Sequence, residues 1–312
     1  MKVKNLTFVT EFILEGFPGP FLIQNFLFVL LFMIYIATLF GNILIIVIIC
    51  LDHRLHTPMY FFLANLSFLE TSCISVVVPN VLVNFLAETK SISYAACMAQ
   101  SYFYFYLYAT DFLLLAVMSI DRYVAICHPL HYTIIMSSKV CVCLVMGCWV
   151  SSFFFLLPSS ILIHQLPFCG PNLIEHFFCD SSSMLMLACA DTQLIKLLSL
   201  IAAFTVMLGP LVLTILSYVY IISTIFRIPS TRGQQKAFST CASHLTMVSL
   251  VFGSAFFITV RPMQLDWLYT NKVVSVISSV LTPFLNPFIY TLRNEKVKEI
   301  LRDTLNHLSI FK

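Results

Sequence analysis

Seven long apolar segments set the pattern of hydrophobic and polar positions along this chain, and none of them contains a lysine or an arginine. A helix of about 20 such residues crosses the hydrocarbon core of a bilayer. The segments lack the alternation that barrel strands show, so each is predicted to be a helix. They run over Gln24–Cys50, Pro58–Phe85, Met98–Ile120, Val140–Ile163, Leu197–Phe226, Ala237–Val260 and Val273–Leu292. The expected fold is an all-α membrane protein, a seven-helix transmembrane bundle.

The composition agrees with this pattern and excludes several classes of protein. Hydrophobic residues make up 60% of the 312 residues, aromatic residues 14% and charged residues only 10%. A water-soluble domain carries roughly a quarter charged residues, because its surface must stay hydrated. A soluble domain, a disordered chain and a small secreted disulfide scaffold are therefore excluded. The net charge of +3 is too small for a nucleic-acid partner, so the expected environment is the lipid bilayer.

The lysines and arginines predict which side of the membrane each loop faces. Eleven of the 17 lie on the side of the C-terminus and six on the other side. Because cytoplasmic loops carry the excess of positive charge, the N-terminus is expected outside and the C-terminus inside, at the plasma membrane. Residues 1–23 lack a basic stretch followed by an uninterrupted apolar core, so no cleaved signal peptide is expected.

Three regions follow from this topology: an extracellular N-terminus over residues 1–23, a seven-span domain over residues 24–292, and a cytoplasmic tail over residues 293–312. In the tail, apolar residues recur at helical spacing between charged ones, which predicts a short amphipathic helix on the inner leaflet. These residues are Val297, Ile300, Leu301 and Leu305. The longest outer loop, about residues 164–196, is where additional structure is expected.

Four of the 11 cysteines fall on the predicted outer side, namely Cys97, Cys169, Cys179 and Cys189. An even number in an oxidising compartment predicts two disulfides, and spacing alone leaves all three pairings open. Asn5 begins a glycan acceptor sequence on the same side. The matching sequence at Asn65 lies within a span and is dismissed.

Two carboxylates and two amides fall at similar depth in four spans: Asn42, Glu70, Asp111 and Asn286. Polar groups in a membrane are costly and mark functional sites by default, so one shared cluster is expected. No lysine or arginine lies at that depth to pair with the acids. One carboxyl is then protonated, or a cation such as Na⁺ lies between them. The third alternative is a helix-packing hydrogen-bond network without an ion.

One face of the third span changes character from the outside to the inside. Tyr104, Tyr108, Asp111, Leu115 and Arg122 recur at steps of four, three, four and seven, so they share this face. Arg122 lies roughly 16 Å below Asp111 at 1.5 Å per residue, and the neighbouring Asp121 can neutralise it. An Asp-Arg-Tyr tripeptide at the inner end of the third of seven spans is a specific feature.

These residues, with others along the chain, resemble the rhodopsin-like (class A) G-protein-coupled receptors, and among them the mammalian olfactory receptors. The resemblance covers essentially the whole length. Its markers are Gly41-Asn42, the run Pro58–Leu63, the run Met118–Cys127, Ser217-Tyr218, the run Lys236–Leu245, the run Pro283–Tyr290 and Arg293-Asn294. Lys236–Leu245 and Met118–Cys127 are the most specific, whereas the Asn-Pro-x-x-Tyr element of residues 286–290 indicates only class A.

The resemblance implies roles for matching residues. Cys97 would pair with Cys179, and Cys169 with Cys189. Arg122 would be the latch at the G-protein face, and the residues implied in activation are Asp121, Arg122, Tyr123, Tyr218, His244, Asn286, Pro287 and Tyr290. Proline removes a helical hydrogen bond and permits bending, which is consistent with a hinge at Asn286, Pro287 and Tyr290.

The chain also departs from the family pattern. The family usually has Asp where Glu70 stands and Glu where Asp111 stands, and our hypothesis is that the two changes compensate each other in length. Met-Ser-Ile precedes Asp121 in place of the usual Met-Ala-Tyr. The sequence Val251-Phe252-Gly253 stands where Phe-Tyr-Gly is common, which removes a hydroxyl from the expected pocket floor.

A ligand pocket is expected between the outer halves of the third, fifth, sixth and seventh spans. The candidate lining residues are Tyr104, Phe105, Tyr108, Phe204, Met207, Phe252, Phe256 and Thr259. Because they are aromatic or apolar with a few hydroxyls, small, volatile, largely uncharged organic molecules are the expected ligands. The resemblance implies an odorant receptor that activates a stimulatory, olfactory-type G protein and raises cyclic AMP.

Other functions remain as alternatives or are disfavoured. A class A receptor for a non-odorant small molecule is the nearest alternative. A transporter is less favoured, because inverted repeats and broken-helix pairs are absent from the sequence. A retinal protein would need a lysine deep in the seventh span, where Val273–Leu292 has none. No enzyme is expected, since the sequence has no nucleophile–base spacing, phosphate loop or metal-ligand cluster, and no metal or cofactor other than Na⁺ is expected.

Overall fold

The computed structural model describes residues 9–87, 89–169, 172–259, 267–292, 296–300 and 302–303, with the side chains of residues 236, 239–240, 267–269 and 291–292 left aside. Its long helices are α1 (Phe21–Leu51), α2 (Pro58–Leu86), α3 (Tyr94–Cys127), α5 (Ser138–His164), α7 (Gln193–Phe226) and α8 (Thr231–Thr259). The seventh span consists of α9 (Trp267–Val276), a π-helical segment (Ile277–Leu281) and α10 (Thr282–Leu292). Short helices α4 (Tyr132–Ile135) and α6 (Ser181–Met186) lie in the connections, with 3₁₀ turns at His53–Leu55 and Pro129–His131.

Seven of these elements are long and apolar enough to cross a membrane, which confirms the predicted spans. The third span is the most buried of the seven, and α3 packs against α2, α5, α7 and α8. By contrast, α1, α5 and α7 expose most of their apolar side chains. Outward-facing apolar residues are stable only in a hydrocarbon solvent, so the exposed surface of the bundle fits a lipid environment.

Gly41 explains why α1 and the seventh span approach each other closely. A Cβ atom at this position would lie 3.0 Å from the Cβ and Cγ atoms of Pro287 in α10. Only glycine leaves room for the proline ring at this separation. The close approach also brings the neighbouring Asn42 within hydrogen-bond distance of the carbonyl of Pro283.

Replacing Gly41 by alanine should lower the thermal unfolding temperature of the detergent-solubilised protein. Overpacking a tight contact typically costs about 1–3 kcal/mol, more than the roughly 1 kcal/mol that alanine gains over glycine within a helix. The matched control is Gly147→Ala in α5, where no atom lies within 4 Å of the added Cβ. An equal response of the two variants would contradict this packing argument.

A small sheet that was not predicted from the sequence closes one end of the bundle. This is the end that the distribution of lysine and arginine predicts to lie outside, and it is called the outer end. The strands of the sheet are β1 (Glu11–Leu14), β2 (Ser91–Ser93) and β3 (Leu173–Ile174), in the order β2-β1-β3. Strand β1 pairs antiparallel with β2 and parallel with β3. Phe12 and Leu14 are fully buried on its inner side, so the N-terminal segment forms part of the outer core.

The long outer loop contains the structure that was expected there. Besides β3 it has the helix α6 and a bridge between Phe168 and Ala188. Two disulfides hold it: one joins Cys97 of α3 to Cys179, and the other joins Cys169 to Cys189. These are the pairings that the resemblance implies.

At the inner end, the backbone is helical over residues 296–300 and at 302–303. Val297 and Ile300 are buried in a cluster with residues of α1 and α2, so this part of the predicted amphipathic helix packs against the bundle. Arg54 links the first inner loop to it, with Nη1 and Nη2 each 3.4 Å from an oxygen of Asp303. Arg54 also binds Asp52, and these hydrogen bonds lower the pKa of the Asp52 carboxyl. Leu301 and Leu305 lie outside the described residues.

Candidate functional site

Aromatic rings from α3, α8 and the long outer loop form a continuous series below the outer surface. The ring centroid of Tyr104 lies 4.6 Å from that of Phe178 and 5.5 Å from that of Tyr108. Tyr108 in turn lies 5.5 Å from Phe112, which lies 4.9 Å from Phe252 of α8. Phe105 contacts Tyr104 edge-on at 5.2 Å. The predicted pocket residues of α3 and Phe252 therefore belong to one aromatic region.

The hydroxyl of Tyr108 is a buried polar group of this aromatic region. No partner meets full hydrogen-bond geometry with it, and the hydroxyls of Ser254 and Ser278 lie within hydrogen-bonding reach of it. Those two hydroxyls donate to carbonyls of their own helical segments, Ser254 to Val251 and Ser278 to Ser275. Their oxygens can still accept from Tyr108, because a hydroxyl that donates keeps its acceptor lone pairs, so an acceptor on a bound ligand would compete with them for the Tyr108 hydrogen.

The remaining predicted pocket residues differ in how deeply their side chains are buried. Met207 of α7 is buried, and Phe204 packs partly buried against the same core. Thr259 is half-buried, and its hydroxyl donates to the carbonyl of Ala255 at 2.8 Å. The prediction for Phe256 was wrong, because its side chain is 51% exposed. It lies with residues 249 and 253 on the exposed stripe of α8, where an aromatic ring faces lipid.

Two aromatic residues of the region were missed from the sequence, Phe177 and Phe178. They precede Cys179, whose disulfide to α3 holds Phe178 against Tyr104, and Phe177 packs edge-on against Phe178. The side chain of Gln100 adds a second link, because its Oε1 accepts from the backbone N–H of Cys179 at 3.0 Å and its Nε2 donates to the carbonyl of Val76 in α2. In the sequence, the position of these two phenylalanines directly before a predicted disulfide cysteine was the signal that could have identified them as pocket residues.

In the middle of the bundle, the polar residues expected to cluster are joined only in part. The amide of Asn286 in α10 donates to a carboxylate oxygen of Glu70 in α2. The amide of Asn42 donates instead to the carbonyls of Thr38, at 3.1 Å, and Pro283, at 3.3 Å. Asp111 lies close enough to Glu70 for the two carboxylates to repel each other. All four side chains are buried.

Three acceptor oxygens around this contact have no hydrogen-bond donor: Oδ1 of Asn42, of Asp111 and of Asn286. A proton on one carboxyl can satisfy a single acceptor, whereas a hard cation binds several oxygens at once. The donor set therefore fits a monovalent cation such as Na⁺. Among the residues that the structure describes, no group of three or more His, Cys, Asp or Glu side chains is arranged to hold a metal ion.

Below this cluster, His244 of α8 connects three helices. Its Nε2 lies 3.1 Å from the carbonyl oxygen of Leu115 in α3, and its Nδ1 lies 2.9 Å from the hydroxyl of Tyr218 in α7. A carbonyl oxygen only accepts, so Nε2 carries the hydrogen and Nδ1 accepts from Tyr218 in the neutral ring. This connection brings together two of the residues implied in activation.

The Asp-Arg-Tyr tripeptide lies at the inner end of α3. The guanidinium of Arg122 is paired with the carboxylate of Asp121, with Nε 3.0 Å from Oδ2. The other oxygen, Oδ1, accepts from the hydroxyl of Tyr132 in α4 at 2.8 Å. Burial and the nearby Asp121 charge raise the pKa of Tyr132, so this hydroxyl stays a donor. The contribution of Tyr132 was missed, because no spacing rule links it to α3.

The other residues implied in activation lie nearby. The hydroxyl of Tyr123 lies 3.1 Å from Nε2 of His128. Tyr290 is within electrostatic reach of Asp111 and of Arg122, and its buried hydroxyl makes no hydrogen bond. The residues between the two carboxylates and the inner arginine thus form one polar region. The predicted glycan acceptor Asn5 lies outside the described residues.

Comparison with known proteins agrees with this architecture. A family model described as "Olfactory receptor" matches residues 31–308. The chain is 49% identical to human olfactory receptor 6T1 over 98% of its own length and 94% of that protein. It is 53% identical to human olfactory receptor 6J1, over 95% of this chain and 85% of the relative, and 48% identical to human olfactory receptor 6X1, over 97% of both.

Proposed function

The chain belongs to the olfactory receptor family, and from this premise we propose its ligand class and its signalling partner. Members of this family are multi-pass membrane receptors for odorants that couple to G proteins, and they are not enzymes. The ligand is a small, volatile, largely uncharged organic molecule that binds among the outer halves of α3, α7, α8 and the seventh span. The bound receptor activates a stimulatory, olfactory-type G protein and raises cyclic AMP.

The observation that carries this proposal is the buried hydroxyl of Tyr108, beside the hydroxyls of Ser254 and Ser278, within an aromatic region. Apolar walls with few polar groups favour molecules that are mostly hydrocarbon. The hydroxyl favours those that also carry one acceptor, such as a ketone, an aldehyde or an ester. In this chain Phe252 stands where the family commonly has tyrosine, so Tyr108 supplies a hydroxyl on the opposite wall of the region.

A cyclic AMP reporter in cells that express the receptor tests the function directly. The panel should contain ketones, aldehydes and esters, together with alkanes of matched size that lack an acceptor. Concentration-dependent responses to acceptor-bearing molecules, absent in cells without the receptor, are the expected result. Receptor present at the surface but silent to the whole panel would contradict the proposed ligand class.

Replacing Tyr108 by phenylalanine should lower the potency of acceptor-bearing agonists by roughly 2- to 12-fold, the equivalent of a hydrogen bond worth about 0.5–1.5 kcal/mol. The ring and its contacts with Tyr104 and Phe112 remain, so packing changes little. Tyr102→Phe is the matched control, because the Tyr102 hydroxyl donates to the carbonyl of Phe153 at the partly exposed surface between α3 and α5. The measurement is the half-maximal concentration in the reporter assay, normalised to surface receptor. A potency unchanged by Tyr108→Phe would exclude this hydroxyl as the anchor.

Activation is then a shift between two conformations of the bundle. A ligand that binds the active conformation better favours outward movement of α8, which requires the His244 links to α3 and α7 to rearrange. The groove opened beside Arg122 accepts a helix of the G protein. The connection of His244 to Leu115 and Tyr218 supports this route, since it joins the three helices that would have to separate.

The carboxylates in the middle of the bundle are proposed to hold Na⁺. The residues that would hold it are Asp111 and Glu70, with the free amide oxygens of Asn42 and Asn286. A bound cation would offset the repulsion between the two acids and tie α1, α2, α3 and α10 together. The alternatives of a shared proton and of a hydrogen-bond network without an ion make different predictions about salt.

Sodium chloride should raise the thermal unfolding temperature of the purified receptor above its value in potassium chloride at equal ionic strength. Binding to the folded state alone stabilises it by RT ln(1 + [L]/Kd), which is about 1.4 kcal/mol at a salt concentration of roughly ten times Kd. The variant Asp111→Asn should abolish the difference between the two salts. Equal unfolding temperatures in the two salts for the unaltered receptor would favour the proton or the ion-free network.

The N-terminus is proposed to lie outside and the C-terminus inside at the plasma membrane. The excess of lysine and arginine on the side of the C-terminus supports this orientation. The two disulfides lie on the opposite side, and disulfides persist in an oxidising, extracellular environment. Glycan attachment at Asn5 requires the same orientation.

A further inference from the structure

A lysine is buried at the outer end of the seventh span, away from the aromatic region around Tyr108. Only 8% of the Lys272 side chain is exposed. Its ammonium group contacts the carboxylate of Glu15 and donates to the carbonyl oxygen of Gly16 at 3.3 Å. A buried ammonium is stable only beside a compensating anion, so this position selects for a carboxylate.

The anion comes from the N-terminal segment that follows β1. The backbone N–H of Glu15 donates to the carbonyl of Ile174, and that of Gly16 donates to the carbonyl of His176. Gly16 has a φ of +66°, a conformation that favours glycine. The turn at this glycine directs both the Glu15 carboxylate and the Gly16 carbonyl towards the same ammonium.

The same segment reaches the outer end of α2. The ring of Phe17 stacks on Phe85 of α2 at 6.4 Å and on Phe177 at 5.3 Å. Residues 15 and 17 can lie at most about 7 Å apart along the chain. The segment therefore crosses the gap between the outer ends of α2 and α9, and Glu15 occupies the α9 side of this gap.

Two further polar groups flank the gap without partners. The amide nitrogen of Asn84, next to Phe85, and the amide oxygen of Asn271, next to Lys272, are buried and make no hydrogen bond. Asn84 is 7% exposed and Asn271 is 5% exposed. The Asn84 amide is therefore a buried donor on the α2 side of the gap that no described group uses.

The two members of the ion pair differ in their access to water. The Glu15 side chain is 39% exposed, whereas that of Lys272 is 8% exposed. Glu15 can therefore swing into water and keep its hydration, while Lys272 would be left without an anion. Any carboxylate that takes the vacated position restores the pair.

From this asymmetry we propose that Lys272 forms an anion site at the outer mouth that binds the carboxylate of a small organic acid in exchange for Glu15. The acid group contacts the Lys272 ammonium, and its apolar tail lies against Phe17. Glu15 acts as a tethered competitor. The site is separate from the Tyr108 region, and its occupancy does not depend on the ligand class or G protein proposed above.

Direct binding of radiolabelled hexanoate to the purified full-length receptor in lipid nanodiscs tests this site. A tethered group competes at an effective concentration in the millimolar range, so Glu15→Gln should increase the affinity for hexanoate at least about tenfold. Glu11→Gln is the matched control, because Glu11 is an exposed acid in the same strand segment. It should leave the affinity unchanged. Unlabelled acetate, butanoate and hexanamide serve as competitors, and the neutral amide should not compete.

Lys272→Met should remove hexanoate binding in both the unaltered and the Glu15→Gln background, and Lys272→Arg should retain it. Surface labelling of each variant shows whether it has folded. The proposal is overturned if Glu15→Gln leaves hexanoate binding unchanged, weaker or undetectable in folded receptor, or if hexanamide competes as well as hexanoate. Because the readout is binding, a receptor silent in the cyclic AMP assay still gives a decisive answer.

Discussion

Replacing Arg122 by alanine is expected to abolish ligand-dependent cyclic AMP production while receptor remains at the cell surface. Arg122 is the cation at the inner end of the α3 face that carries Tyr104, Tyr108 and Asp111. Its side chain retains 14% exposure at the inner surface, where a G-protein helix would approach. Losing the charge-assisted contacts that a partner makes only in the active state should reduce signalling by more than about 100-fold, equivalent to roughly 2.7 kcal/mol.

The variant also leaves Asp121 without its cation, and this effect must be separated from the loss of coupling. Asp121 is 1% exposed, and removing one partner of a buried ion pair can cost about 3–5 kcal/mol. The hydroxyl of Tyr132 still donates to it, which limits the loss. Surface labelling therefore accompanies the reporter assay, and Arg54→Ala provides a control at an exposed inner arginine. Full signalling by Arg122→Ala at normal surface density would refute the role assigned to this residue.

The second large effect is expected for Cys179→Ser, which should reduce surface receptor at least about tenfold. The Cys97–Cys179 disulfide joins residues 82 positions apart, and both cysteines are fully buried. Removing a native disulfide typically costs about 2–5 kcal/mol. Here it also releases Phe178 from its contact with Tyr104, so the receptor that still reaches the surface should respond with lower potency.

Cys143→Ser is the control for the loss of a sulfur atom, because Cys143 is a free, exposed cysteine of α5. It should match the unaltered receptor in surface density and potency. Flow cytometry of an epitope-tagged receptor measures the first, and the odorant reporter assay measures the second. Normal surface density and potency in Cys179→Ser would mean that the sheet, Gln100 and the Cys169–Cys189 disulfide hold the outer loop without this bond.

Hydropathy was sufficient to predict the seven spans, because the length of an apolar run directly measures whether it can cross a bilayer. It could not predict which side of each helix is buried. Phe256 shows why: a phenylalanine facing lipid and one facing the core have the same hydropathy, so helical position and polarity do not distinguish them. Phe252, one turn earlier, was predicted by the same reasoning and is buried.

The small outer sheet escaped prediction for a different reason. Its strands have four, three and two residues, which is too short for a period of two to stand out. Their pairing also joins segments that are far apart in sequence, and no turn between them identifies partners. In β1 the burial alternates along Glu11–Leu14, but Phe12, Ile13 and Leu14 are all apolar, so the sequence itself does not show this alternation.

The polar residues in the middle of the bundle were easier to predict from the sequence than the hydrogen bonds that they make. The depth of Glu70, Asp111, Asn42 and Asn286 followed from counting residues along the spans. Depth alone did not show that Asn42 would bind the carbonyl of Pro283 in place of a carboxylate. That choice depends on how closely α1 approaches α10, which Gly41 decides.

The order of the strands in the outer sheet has a consequence for biosynthesis. The central strand, β1, leaves the ribosome first, yet its second edge is completed only by β3, about 160 residues later in the chain. At roughly 5–20 residues per second, translation alone separates the two strands by some 8–32 seconds. During that interval β1 has one edge of unpaired backbone groups, and Phe12 and Leu14, which are fully buried in the finished protein, lack part of their cover. The outer core is therefore completed only after more than half of the chain has been made.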